Sequence, residues 1–207
     1  MREAQTVIIS GSFIVLDKSP YRDSALLLRG ISPDYGRISF ILHGGQSAKT
    51  PVADIFRELE IEFEDKNIPQ ELYTAKKADI LTDFTPVAEH PKSFRMAGRI
   101  AAFLLGYMPP AVPQPYTYDT LRSVLANLAL ADENSWSLVQ CAVVIKTAFL
   151  YENGMLPEGG SPEQNEFLEN LVAAGIDNSP LPDCPEKYFD TLNEWLNSLI
   201  QYHQLKR

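Results

Sequence analysis

The chain has 207 residues, a formal net charge of −9, an apolar share of 45% and a charged share of 22%. Those proportions belong to ordinary soluble domains and allow a sizeable core, in one large domain or two small ones. They exclude a nucleic-acid binder that works through its whole surface, because affinity for phosphate scales with the cations presented to it.

The charge is unevenly spread. Residues 1–57 carry +2, residues 58–80 carry −4 and residues 81–207 carry −7, so a local cationic face is to be sought near the start of the chain. The two cysteines, Cys141 and Cys184, have no second Cys or His at metal-ligand spacing, which predicts neither a disulfide framework nor a zinc site. No cofactor is expected. No charged segment followed by an apolar one opens the chain, and no apolar run approaches the ~20 residues that span a bilayer. The expectation is a cytoplasmic protein without membrane contact.

Taken in order, Val7-Ile8-Ile9 enter a sheet and Gly11 is the expected site of a bulge or bend. Three short strands follow, each rich in β-branched or large apolar residues and closed by turn chemistry. They are Phe13–Leu16 before Ser19-Pro20, Ala25–Ile31 before the turn at 32–36, and Arg37–Leu42 before Gly44-Gly45. A helical turn is expected in the VADIF stretch after Pro51. From Phe56 the pattern alternates, with Leu59, Ile61 and Phe63 on one side and Glu58, Glu60, Glu62 and Glu64 on the other, the mark of a half-buried strand with carboxylates facing water. A turn at Asp65-Lys66-Asn67 leads to a fifth strand over 71–81. Five such strands suit an OB-fold β-barrel over residues 1–81.

After Pro86 and Pro91 the apolar residues recur at helical spacing, which predicts an all-α domain over 82–207. The first helix is expected from a cap at Ser93 to Tyr107, and the second from Thr117 or Asp119 to about Ala131. Ser135 is read as the cap of the longest and most apolar helix, 136–153, ended by Gly154 at the position after the cap. Helices at 162–175 and 185–204 complete an α+β chain.

The turn Tyr21-Arg22-Asp23-Ser24, the restart Gly36-Arg37, the run from His43 to Thr50 and the later phrase FLYENGMLP, Phe149–Pro157, together resemble RecO, the bacterial recombination mediator. The family usually carries lysine and arginine where this chain has His43 and Gln46. Many members have a four-cysteine zinc module where this chain has the short loop Glu158–Ser161, so the resemblance implies a zinc-less, shortened member. It further implies a repair and recombination mediator that binds single-stranded and duplex DNA, contacts RecR and the single-stranded-DNA-binding protein, and sits at the nucleoid. The implied DNA contacts are Lys18, Arg22, Arg29, Arg37, His43 and Lys49, with Arg57 nearby and Tyr21, Tyr35 and Phe40 as stacking platforms.

Each of these residues has a plainer reading. Gly44-Gly45 suits an anion's approach, but equally a loop that needs positive φ, and six dispersed cations suit any solvated surface. The glutamate row reads as a hydrated strand face that repels phosphate. His90 and His203 have no partner visible in the sequence, and nothing assembles a nucleophile set, so no enzyme is expected. The alternative function is a non-catalytic protein-interaction module whose barrel has lost most DNA affinity.

Overall fold

The computed structural model describes residues 7–22, 24–46, 51–65, 70–132, 135–157 and 159–204. Its first part is a closed barrel of five strands, β1 (Val7–Tyr21), β2 (Ala25–Ser32), β3 (Gly36–Leu42), β4 (Arg57–Asp65) and β5 (Leu72–Asp83), arranged in the order β1-β2-β3-β5-β4. That circuit is the OB arrangement.

β1 makes the closure possible because it is one 15-residue strand rather than a short one. Its first half pairs with β4, from Val7↔Asp65 to Ile14↔Glu58, and its second half with β2, from Ile14↔Ile31 to Tyr21↔Ala25. The bulge expected at Gly11 lies instead between Val15 and Asp17, while Gly11 pairs in regular register with Ile61. An extra residue there increases twist where the strand passes from one partner to the other. The only parallel pairing described, β3 with β5 from Ser39↔Leu72 to Leu42↔Ala75, closes the circuit.

Alternation places Phe13, Leu28, Phe40, Leu59, Ile61, Phe63 and Tyr73 inside. Their rings meet edge to face, Phe13 to Phe40 at 5.0 Å and Phe63 to Tyr73 at 4.9 Å between centroids, the arrangement their quadrupoles prefer. The VADIF stretch is not helical. Its last residue, Phe56, sits at φ 62 with its ring buried. Its N–H donates to Val15 O (2.8 Å) and its carbonyl accepts from Phe84 N (3.0 Å), so strand pairing outweighs the local helical preference and holds a bulky residue in the left-handed region.

The chain divides into two compact units: the barrel through Ala88 with Gly98–Pro115, and Glu89–Ala97 with the residues from Tyr116 onward. In the first unit, residues 109–114 lie on the β2–β3 turn through Arg37 N to Pro109 O (3.3 Å) and Gln114 N to Pro33 O (2.9 Å). Gly36 is required there: at φ +58, a Cβ would stand 2.2 Å from Val112 O.

A short 3-10 helix, Thr85–Glu89, precedes five α-helices: α1 (Pro91–Tyr107), α2 (Pro115–Leu130), α3 (Leu138–Glu152), α4 (Pro162–Asp177) and α5 (Glu186–Gln204). Two expected caps move. Pro91 opens α1, its fixed φ suited to the first helical position, and Ser93 is buried inside the helix. The cap of α3 is Ser137, which forms a reciprocal box with Gln140, whereas the Ser135 hydroxyl donates to Asp132 (2.9 Å). α2 starts earlier than expected because the Glu152 carboxylate accepts from Tyr116 N (2.8 Å) and Thr117 N (2.9 Å), meeting the positive end of the helix. α3 is the most apolar helix, buried from Cys141 to Ile145 and from Thr147 to Leu150, but at 15 residues it is shorter than the 19-residue α5. Lys146, on its less buried side, donates to Asn193 and Asn197 of α5, both at 2.7 Å.

Candidate nucleic-acid interface

Two loops meet at one end of the barrel. The β1–β2 hairpin closes after Tyr21↔Ala25, and β3 ends at Leu42, which pairs with Leu26, so the hairpin and the segment 43–46 leave the sheet side by side. Gln46 ties them together: its amide nitrogen donates to Ala25 O and to Arg22 O (3.2 Å), and its backbone N–H donates to Ser24 O (3.2 Å). Arg22, at φ 51, carries its guanidinium 5.2 Å from the centre of the Tyr21 ring, within reach of a cation–π attraction. His43, directly after β3, is exposed, and Gly44 takes φ +73, as the loop reading required. Among the described residues neither Arg22 nor His43 has a carboxylate partner. Lys49, next in the expected set, lies outside the described residues.

The other three cations of the set are each engaged. Lys18 pairs with Asp54 at 2.6 Å and Arg29 with Asp17 at 3.4 Å. Arg37 stands 3.9 Å from Glu71 and donates to Leu105 O at 2.9 Å. Arg29 pairs with Ser39, two residues along β3 from Arg37, so these two arginines share the outer face; Lys18 pairs with core residue Leu28 and belongs to the opposite side. Strand alternation therefore joins Arg29 to Arg37 and separates Lys18 from both.

Arg57 is paired, though not with the neighbouring glutamates. It donates to Asp83 (3.0 Å) and to the carbonyls of Pro51 and Val52 (3.2 Å for Val52), joining the start of β4 to the end of β5. Burial would raise the Asp83 carboxyl, but hydrogen bonds from Thr85 and Arg57, with the Arg57 charge, hold it below its ordinary value. Asp54 shows the same balance: burial opposes ionisation, and hydrogen bonds from Lys18 and Ile55 N, with the charges of Lys18 and Arg57, prevail.

Two expected stacking platforms are occupied by the fold itself. Phe40 is 1% exposed in the barrel core. Tyr35 packs 5.5 Å from Phe63 and donates its hydroxyl to Asp65 at 3.2 Å; burial, then the Asp65 charge and hydrogen bond, push the phenol up to about 12. Tyr21 and Tyr35 are both half-buried, but of the three only Tyr21 stands at the loop end.

The glutamate row is not uniformly hydrated. Glu58 is buried and accepts from Thr82 Oγ1 at 2.6 Å. Glu64 pairs with Lys76, and Lys77 opposes Glu62 across the strands while pairing with Asp79. Period-two reading finds the row but not the lysines that β5 brings beside it. Gln46 was likewise beyond the pattern, since its partners lie more than twenty residues away. Among the described residues no group of three His, Cys, Asp or Glu is placed to hold a metal, and no helix is long and apolar enough to cross a membrane.

A closed five-stranded barrel with strands in this order belongs to the OB-fold class of domain. Residues 7–84, the whole barrel, match the family model described as the N terminal of recombination protein O, so the barrel is similar to the N-terminal domain of that family. No curated protein matches the chain.

Proposed function

We propose that the chain is a non-catalytic repair and recombination mediator whose barrel, residues 1–81, binds single-stranded DNA at the loop end, while residues 82–207 serve protein partners. The observation that carries this reading is the Gln46 clasp, which ties the hairpin bearing Tyr21 and Arg22 to the segment that begins at His43, with no carboxylate partner of Arg22 or His43 among the described residues. Backbone phosphates pair with Arg22 at the loop end and with the other cations of the expected set, Arg29, Arg37 and Lys49, and a base stacks on Tyr21. The acceptor-rich wall of β4 faces away from phosphate. The resemblance points to RecR and the single-stranded-DNA-binding protein as partners, to duplex as well as single-stranded DNA, and to a place in the cytoplasm at the nucleoid.

The test is a titration of fluorescent oligo(dT) with the full chain across salt concentrations. Binding at about 50 mM salt, weakening with a log–log slope of a few units, is expected, since each neutralised phosphate adds ~0.7 on single strands. Arg22→Ala should lower the slope by about that amount. A second reading, an interaction module that has lost DNA affinity, is favoured by the ion pairs of Lys18, Arg29 and Arg37 and by the charge of −9. It predicts no binding at the same salt.

A further inference from the structure

The longest stretch of the sequence without Asp or Glu runs from His90 to Tyr118, inside a chain with 27 acidic residues. Its first residues line a cleft of about 720 Å³ in the second unit, whose lining includes His90, Lys92, Arg95, Leu128, Trp136 and Leu138. Lys92 and Arg95 are exposed on α1, three residues apart and so on neighbouring positions of one helix face. Among the described residues neither has a carboxylate within ion-pairing distance. The lining carboxylate, Asp132, accepts from the Ser135 hydroxyl at 2.9 Å.

Further polar side chains of the lining are engaged within the fold. Asn127 accepts from Trp136 N (3.0 Å) and donates to Asn178 (2.8 Å), and Ser137 is committed to the capping box of α3. What the cleft offers is exposed positive charge from Lys92 and Arg95 together with a half-buried indole, Trp136. A strand with one negative charge per unit and a flat base on each fits that pair of features.

We propose that this cleft is a second single-strand contact: phosphates lie on Lys92 and Arg95, beside His90, and a base stacks on Trp136. It rests on the reading of the chain as a DNA-binding protein but not on the barrel being the contact.

The experiment uses the full chain carrying Trp195→Phe, which leaves Trp136 as the sole tryptophan, titrated with oligo(dT) and read by indole fluorescence and by anisotropy of labelled DNA. Quenching of Trp136 in step with binding is expected, since a stacked base contacts the ring face directly. Adding Lys92→Ala and Arg95→Ala should weaken binding roughly tenfold at low salt and cut the log–log salt slope by about 1.4, the share of two single-strand phosphates. Arg22→Ala separates the two sites. Binding that responds to Arg22→Ala but leaves Trp136 unquenched and is indifferent to Lys92 and Arg95 overturns the cleft and keeps the barrel. Quenching with indifference to Arg22→Ala keeps the cleft and overturns the barrel. No binding by any form, or quenching by an acidic peptide and not by oligo(dT), overturns the cleft proposal.

Discussion

Gln46 shows how much one side chain can decide at a loop end. Its amide spans two carbonyls of the β1–β2 hairpin, and a basic side chain at the same place, however attractive to phosphate, would offer a different geometry. Cutting it back in Gln46→Ala leaves the carbonyls of Arg22 and Ala25 to water and should cost about 1 kcal/mol. Urea unfolding measures that loss, and hydrogen exchange should show the backbone N–H at position 46, bonded to Ser24 O in the parent, opening faster in the variant. An unchanged midpoint with unchanged exchange would mean that the two loops hold their places without the clasp. Nothing around position 46 announces this role, because the partners come from a different strand pair. The sequence exposes charge and turn propensity at such positions, while the closing contact exists only once β2 and β3 are aligned.

At the level of elements, legibility follows the range of the forces involved. The strands β2, β3 and β4 were readable because a period of two is imposed locally by a sheet with one buried face. The bulge in β1 was not, since it answers to two partner strands at once, and a glycine near the middle of the strand is a poor guide to where they change over. Helix interiors were readable from apolar spacing, whereas the starts shifted by a few residues: Glu152 reaches across to cap α2, and Ser137 has the matching Gln140 that Ser135 lacks. The crossing of α4 over α2 and α3 depends on Gly175, where an added Cβ would lie 2.8 Å from Val144 Cγ1 and 2.9 Å from Thr120 Cγ2. Gly175→Ala sets two effects against each other, a gain of up to about 1 kcal/mol in helix propensity and an overpacking cost of about 1–3 kcal/mol. Because both neighbours are buried side chains of packed helices, the cost should win by about 1 kcal/mol, visible as a lower urea midpoint. A raised midpoint would show that the three helices have room to part.

Across the whole molecule the acidic excess has to be lived with, and the folded chain does so by placing several of its carboxylates where they gain partners. Asp54 and Asp83 are the clearest cases: hydrogen bonds and nearby cations overcome the burial that would raise them, and both carboxyls lie below their ordinary value in the folded state. The unfolded chain therefore binds protons more readily at these two sites, and the stability they contribute is fully present above the unfolded pKa of about 4 and is lost as pH falls below it. Both groups are partly exposed, with 33% and 40% of the side chain accessible, so water screens the effect and the loss should be modest. The comparison that isolates it is urea unfolding at pH 7 and at about pH 3 for the parent and for Asp83→Asn. The parent should lose more stability between those two values than the variant, and the variant should be the less stable of the two at pH 7. Equal losses in both proteins would mean that the Arg57–Asp83 pair does not contribute to the acid limb, and that the fall in stability comes from the remaining carboxylates of a chain that carries 27 of them. The same pair links the two strands at one end of the β4–β5 ribbon, so the variant also reports whether the pairing of that ribbon and acid sensitivity share one contact.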